Sequence, residues 1–384
     1  DAGLSDPRLR PPWGRSWTRD RTVQFHEILA DRKMLPPPYG MGNFLVIPTL
    51  MEHASEELQN RFIPGILDGQ AGWCQLFSEP GAGSDLAGLQ TRAEQDGDEW
   101  VVHGQKVWTT GGQWADLAIL VARTDPGVVK HRGLSYFVMP VRQPGVEVRP
   151  LREATGEAMF NEVFLDGARI PGDWVVGDVG DGWRVTNTTL RHERAGIGGD
   201  FTGGGGAIPG TVAGHLDRPA GDLVGAAGLI GGRARRLDFP LLGTMARQRN
   251  RAGDPVVRQH LAHLYTLERI TEWHMGRIKA GSAATGAEGN LAKIRNSLLV
   301  TTARDAVAAI LGPDALLTGP EAVEEGVAAE HIIRSVAPSI YGGTDQIQRN
   351  IIGERALGLP REPDPSRELP FDQLLHNPVR SQPR

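Results

Sequence analysis

At 384 residues with a formal net charge of −5, the chain has room for two or three domains and lacks the basic excess of a nucleic-acid-binding surface. Its one cysteine, Cys74, excludes an intramolecular disulfide and points to a reducing, cytoplasmic setting. The apolar run "NFLVIPTLM" falls well short of the roughly 18 residues that a membrane helix needs, so no span is expected.

The sequence opens at Asp1 without Met or a charged-then-apolar leader, and residues are expected to be missing in front. Residues 20–68 read as helical. "TVQFHEILADR" sets Val23, Phe25, Ile28 and Leu29 on one face, and Ser55 and Gly69 bracket a second helix as N-cap and stop. From 71 to 176 short β-prone segments alternate with turns: "DEWVVHG", "ADLAILVART", "LSYFVMP" and "VEVRP", with a "DGD" turn at 96–98. Antiparallel pairing is expected throughout.

Many of the 50 glycines fall in "GIGGDFTGGGGAIPG" and "GAAGLIGG", which resist regular structure. Residues 196–222 are therefore expected to form a mobile loop. Beyond it, Asp254 caps a helix with Pro255 in its first position, and Val257, Leu261, Leu264, Leu267 and Ile270 line one side. A helix over 288–311 is expected to turn Leu291, Ile294, Leu298, Val307 and Ile310 inward. Shorter helices are expected at 320–335 and 344–357, and "PREPDPSRELP" at 360–370 is extended and Pro-rich. The predicted fold class is α+β multidomain. It comprises an N-terminal helical domain (1–70), a middle antiparallel β domain (71–176) and a C-terminal helical bundle (177–375).

Three stretches carry potential chemistry. "SEPGAGSD" has neither G-x-G-x-x-G spacing nor a Walker Lys-Ser/Thr pair. Its turn residues can still aim N–H groups at an anion, although a Gly-rich connection is the plainer reading of the stretch alone. In "GQKVWTTGG", Trp108 could press on a planar ligand, or simply fill a core. In "YGGTDQIQRNIIGERALGLP", Thr344 can cap a helix whose first turn favours an anion. No metal-ligand spacing is evident.

Together, in this order and separation, the three stretches resemble the signatures of the acyl-CoA dehydrogenase family, over about residues 20–375. The resemblance implies FAD as cofactor, an acyl-CoA substrate, an electron-transfer acceptor protein, and a homo- or hetero-oligomer. It implies that Phe77 and Ser78 contact the isoalloxazine, Gly83 and Ser84 the pyrophosphate, and Thr344 and Gln346 the adenine nucleotide. Trp108 would cover the flavin and Thr110 would donate to it. Arg247, Leu311 and Gly312 would serve the cofactor of a neighbouring chain. There the pattern departs from the family: its Arg-x-x-Phe-Gly reads "RQRNR", and its glutamine reads Ala309.

The family reaction places a double bond between Cα and Cβ of an acyl-CoA thioester, a base taking the α-proton as hydride leaves Cβ. The base is a glutamate at one of two places. Here one is Gly342 and the other aligns with Gln248, and neither accepts a proton usefully. Glu268 and Glu272 read as a solvated face, and Glu193, before Arg194, as structural or substrate-side. The expected activity is an acyl-CoA dehydrogenase. The alternatives are a non-catalytic subunit beside a sister chain that brings the glutamate, and other flavin chemistry on the same fold. The acyl group is not legible in the sequence, although Gly342 leaves room for a bulky one.

Overall fold

The computed structural model describes residues 3–32, 34, 40–198, 237–280 and 286–374. The loop expected at 196–222 lies outside these from residue 199 onward. The described residues divide into two compact units: those up to Glu193 with the tail from Pro363, and those from Arg194 to Gly198 and from Leu237 to Glu362.

The first unit begins with helices α1 (Arg19–Asp31), α2 (Ile47–His53) and α3 (Glu56–Leu67). Ser55 caps α3 by accepting from the Leu58 N–H (3.3 Å), and Gly69, at φ +67°, turns the chain out of it. The expected apolar face of α1 is not a core face: Val23 and Ile28 are exposed and Thr22 is buried instead. Among the described residues, no buried core cluster includes that helix, and Phe25 meets only Trp17, edge-on at 5.7 Å, and the neighbouring His26.

Seven strands follow: β1 (Trp73–Leu76), β2 (Arg92–Asp96), β3 (Glu99–Lys106), β4 (Leu117–Arg123), β5 (Leu134–Pro140), β6 (Val146–Leu151) and β7 (Phe160–Pro171). They form one sheet ordered β1-β4-β2-β3-β7-β6, with β5 on β4. Asp96 pairs with Glu99 across a tight turn at Gly97, as the "DGD" stretch predicts. Pairing is not antiparallel throughout. β4 runs parallel to β1 and touches β2 in the same sense, because the 40 or so residues from 77 to 116 act as a crossover that returns the chain in the same direction. β4 and β5 are apolar on both faces. One face packs on α2 and α3 and the other on β3, β7 and the Trp100 side, so both read as continuous hydrophobic runs.

Helix α4 (Gly182–Gly198) lies against β5 and α2 through a buried hydroxyl cluster. Thr189 Oγ1 is 2.9 Å from both Thr49 Oγ1 and the Tyr136 hydroxyl. Such a chain satisfies three buried polar side chains at once.

The second unit is a helical bundle of α5 (Phe239–Gln248), α6 (Pro255–Lys279), α7 (Glu288–Leu311), α8 (Val327–Arg334) and α9 (Asp345–Ile351). Asp254 caps α6 from the N–H groups of Val256 and Val257, with Pro255 behind it. Val257, Leu264, Val307 and Ile310 are in the core, whereas Ile270, Leu291 and Leu298 are exposed. On the first three turns of α7 the buried positions are Asn290, Lys293 and Ser297, for a reason that lies in the site below.

The start of α4 passes so close to β5 that a Cβ on Gly182 would stand 2.5 Å from the Ser135 carbonyl carbon and 2.6 Å from its Cα. Neither backbone atom can move aside cheaply. Gly182→Ala is expected to destabilise this unit by about 1–3 kcal/mol, read as a lowered urea midpoint with an unchanged slope.

Candidate functional site

The loop between β1 and β2 is fixed at both ends by buried charge. Lys106, the last residue of β3, is fully buried, and its ammonium donates to the carbonyls of Phe77 (3.0 Å) and Val121 (2.9 Å) and to the Glu79 carboxylate (2.9 Å). Glu79 in turn accepts from the N–H groups of Gln90 (2.7 Å) and Thr91 (2.9 Å). Burial pushes the Glu79 carboxyl upward, but the Lys106 charge and the bonds from Thr91 and Gln90 outweigh it and hold the group below the usual carboxylate range. Three ammonium protons thus meet three acceptors. Sequence reading missed this lysine. Its parity on β3, in step with Trp100 and Val102 on the apolar face, was the available signal.

Between these anchors the chain makes a reciprocal turn, Glu79 N–H to Ala82 carbonyl and Ala82 N–H to Glu79 carbonyl. Gly81, Gly83 and Ser84 are left exposed beyond it. Among the described residues, none accepts from the N–H of Gly81, Gly83 or Ser84, and nothing lies within 4 Å of a Cβ built on either glycine. The hydroxyls of Ser78, Ser84 and Thr110 are also engaged by none of them. Phe77 is different. It is buried, edge-on to Tyr136 at 5.8 Å, and its carbonyl is taken by Lys106, so its side chain is closed to a ligand.

Beside the loop, Val107 donates to the Ser78 carbonyl (2.9 Å), zipping the end of β3 to it. The next residue, Trp108, has φ +61° and is 62% exposed. A tryptophan rarely adopts this left-handed backbone, and strain of this kind is held only by firm neighbours. Thr109 and Asn161 exchange hydrogen bonds (3.1 and 2.9 Å), Gly111 donates to Met159 (2.9 Å), and Phe160 meets the indole edge-on at 5.8 Å. The result is an upright, accessible indole beside Thr110, not a core tryptophan.

In the second unit the C-terminal signature is built in a similar way. Gly342 and Gly343 are both left-handed (φ +63° and +78°), and Thr344 then caps α9 from the Ile347 N–H. Asp345 accepts from Lys293 (2.8 Å) and Ser297 (2.9 Å), and Lys293 is only 1% exposed. Burial raises the Asp345 carboxyl, yet Lys293 and Ser297 more than offset it and hold the group low. Gln348 is buried. Its amide donates to the Gly342 carbonyl (2.8 Å) and accepts from Asn290 (2.6 Å). These partners explain why α7 turns Lys293 and Ser297 inward and leaves Leu298 exposed. Gln346, at the start of α9, is exposed. Leu311 is buried at the end of α7, with Gly312 left-handed after it (φ +58°). Arg247 and Gln248 lie exposed at the end of α5, where Arg247 donates to Thr244 (3.1 Å).

The acids near α5 are structural. Asp238 caps α5, Asp254 caps α6, and Glu268 accepts from the Phe239 N–H at 2.9 Å. Glu268 is therefore buried at a helix start, contrary to the solvated face expected of it, because α5 presents unpaired N–H groups beside α6. Glu272 pairs with Arg269 at 2.6 Å. In the first unit Glu193 accepts from Gln75 (3.3 Å), linking α4 to β1.

Two family models match the chain: the acyl-CoA dehydrogenase middle domain over residues 74–167 and the acyl-CoA dehydrogenase C-terminal domain over 224–357. The acyl-CoA dehydrogenase IpdE1 of Mycobacterium tuberculosis is 35% identical over 350 residues, which are 91% of this chain and 83% of that protein. Among solved structures, the Tcur3481-Tcur3483 steroid ACAD matches with TM-score 0.74 and 28% identity, covering 94% of this chain and 87% of that one. The ChsE4-ChsE5 complex of Mycobacterium tuberculosis matches with TM-score 0.69 and 25% identity, covering 94% and 87%.

Removing one partner of a buried pair strands the other. Lys106→Met is expected to cost about 3–5 kcal/mol of stability. Because the Glu79 carboxyl is depressed in the folded state, its stabilisation is complete above the unfolded carboxylate value of about 4.3 and is lost as pH falls through the lower folded value. Denaturation midpoints taken between neutral and acid pH should fall in that window, and less steeply in Glu79→Gln.

Proposed function

The chain belongs to the acyl-CoA dehydrogenase family, and on that premise we propose that it is a subunit of an FAD-dependent acyl-CoA dehydrogenase that forms an α,β double bond in an acyl-CoA thioester. In this reading a partner subunit supplies the base. The observation that carries it is the pair of anchored signatures without a carboxylate at either base position: Gly342 has no side chain and Gln248 is an exposed amide.

The residues present fit the cofactor. Free N–H groups at Gly83 and Ser84 and the Ser84 hydroxyl suit a pyrophosphate. The Ser78 and Thr110 hydroxyls and the exposed Trp108 indole suit the edge and face of an isoalloxazine. Thr344 and Gln346 are the proposed adenine-nucleotide contacts, and Arg247, Leu311 and Gly312 the proposed contributions to a neighbouring chain's cofactor. When bound, FAD supplies the acceptor for the β-hydride. The chain's own part in this reading is to hold the isoalloxazine through Ser78, Trp108 and Thr110 and so to seat the acyl thioester beside it. The proton itself leaves to the partner's base.

Likeness to two solved structures named for paired components supports a mixed oligomer, and one of them is described as a steroid ACAD. A bulky acyl group is the proposed substrate class, consistent with the missing side chain at 342. An electron-transfer protein is the proposed final oxidant.

The protein should purify yellow and release FAD on acid treatment, and Ser84→Ala should weaken FAD binding by about 1–3 kcal/mol. A colourless protein that takes up no FAD, with or without a partner, would refute the cofactor assignment.

A base is worth about 10²–10⁴-fold in rate. Anaerobic mixing of the flavin-loaded chain with acyl-CoAs should therefore bleach the flavin slowly, and addition of the sister subunit should bring the rate up. Gln248→Glu is the gain-of-base variant of choice, because any side chain at the left-handed Gly342 is strained. Rapid bleaching by the unmodified chain alone would contradict the partner-base reading.

A further inference from the structure

The tail that follows the helical bundle returns to the first unit. Pro370 bridges to Val129, the Phe371 N–H donates to the Val128 carbonyl (2.9 Å) and the Asp372 N–H to the Pro126 carbonyl (3.0 Å). These bonds seat the Phe371 ring, itself buried, over the guanidinium of Arg123 at 3.3 Å from ring centroid to Cζ.

Arg123, at the end of β4, is buried and makes no ion pair among the described contacts. Its edge is used on carbonyls instead. Nη2 donates to Ala87 (2.7 Å) and Leu89 (3.1 Å), Nε to Leu89 (3.2 Å) and Nη1 to Lys130 (3.0 Å). Ala87 and Leu89 close the loop that carries Gly83 and Ser84. Lys130, next to the tail-bound Val129, reaches back to Asp85 with its ammonium (2.9 Å to both oxygens). The two routes from the tail therefore end on the same short stretch, residues 85–89. Glu79 and Lys106 hold the front of the loop, and Arg123 and Lys130 hold its rear.

A guanidinium is weakly hydrated on its faces and binds water and acceptors at its edge. A ring laid on the face keeps water out without competing for any N–H, and the attraction is largest where the cation is already desolvated. Without the ring, water reaches the face, and the bonds to Ala87 and Leu89 then compete with solvent.

We propose that the tail segment 363–374 is a clasp for the cofactor loop and that Phe371 is its positioning residue, acting through Arg123. The word cofactor here rests on the FAD reading above; the clasp itself does not. It gives the Pro-rich stretch at 360–370 a purpose, as a stiff approach that delivers one aromatic ring to one buried cation.

The test is hydrogen–deuterium exchange on the full chain, paired with FAD titration. Gly88, Leu89, Gln90 and Thr91 all donate within the loop, so their amides report its closure. Phe371→Ala is expected to speed their exchange by about 3- to 30-fold, the span implied by a desolvated cation–ring contact, while amides of β7 such as Ala168 and Ile170 keep wild-type rates. FAD affinity should fall by a similar factor, and Phe371→Tyr should restore both. Arg123→Lys should reproduce the effect, and the double variant should be no worse than either single one.

If Phe371→Ala does not accumulate in folded form, Phe371→Leu, which keeps apolar volume and lacks the ring, is read in the same way. Wild-type exchange at 88–91 in these variants overturns the proposal, as does an equal rise across the whole sheet, which would make Phe371 a general core residue. Faster exchange at 88–91 in a protein that binds no FAD even as wild type would uphold the clasp and remove the flavin assignment instead.

Discussion

The buried pair of Lys106 and Glu79 is the constraint on which the first unit's site depends. Each ion loses several kcal/mol of hydration on burial, and their attraction offsets that only if the remaining donors and acceptors are met. Here they are: the carboxylate takes three donors and the ammonium three acceptors. The acceptors lie on the loop and on β4, and two of the donors lie at the loop's far end, the third being Lys106 on β3. No shift of the 77–91 loop preserves all of these bonds. The pair therefore adds little net stability but specifies one loop conformation, and that conformation presents Gly81, Gly83 and Ser84 outward with their N–H groups free.

The second unit repeats the device with other residues. A carboxylate inside a signature, Asp345, meets a lysine from a neighbouring helix, Lys293, and the signature's glycine pair is tied down by Gln348. Both signatures are thus held by a carboxylate paired with a buried lysine. Asp238, Asp254 and Glu268 around α5 each accept from helix N–H groups. Acidic side chains are present near the relevant elements, and each of these has a structural hydrogen bond of its own. These structural roles, with the two substituted positions, support the proposal that a partner supplies the base.

Much of this architecture is legible in the sequence where the governing chemistry is local. Ser55, Asp254 with Pro255, and Thr344 each cap the helix their neighbours predict, and "DGD" makes its hairpin. Nonlocal facts are less visible. Parallel pairing of β1 with β4 depends on a crossover of some 40 residues. The inward face of the first turns of α7 is polar because its partners, Asp345 and Gln348, lie some 50 residues further on, so a hydrophobic pattern picks Leu291 and Leu298 wrongly. Glu268 looks like a surface acid until α5 is placed beside it. Lys106 and Arg123 sit in apolar strands, where a charged residue signals a buried partner without saying which. Within the candidate site, the exposed residues are easy to nominate from the signatures, but what holds them is not.

In the proposed function this chain positions an acyl thioester without owning the group that deprotonates it. The most direct measurement is deuterium incorporation at the substrate α-carbon, with the purified flavin-loaded chain and an acyl-CoA incubated in deuterated buffer and the thioester analysed by mass spectrometry. The account predicts exchange no faster than the buffer background for the chain alone, and rapid exchange once the sister subunit is added. Fast α-exchange with the chain alone would contradict it, because a base would then have to lie among this chain's own residues.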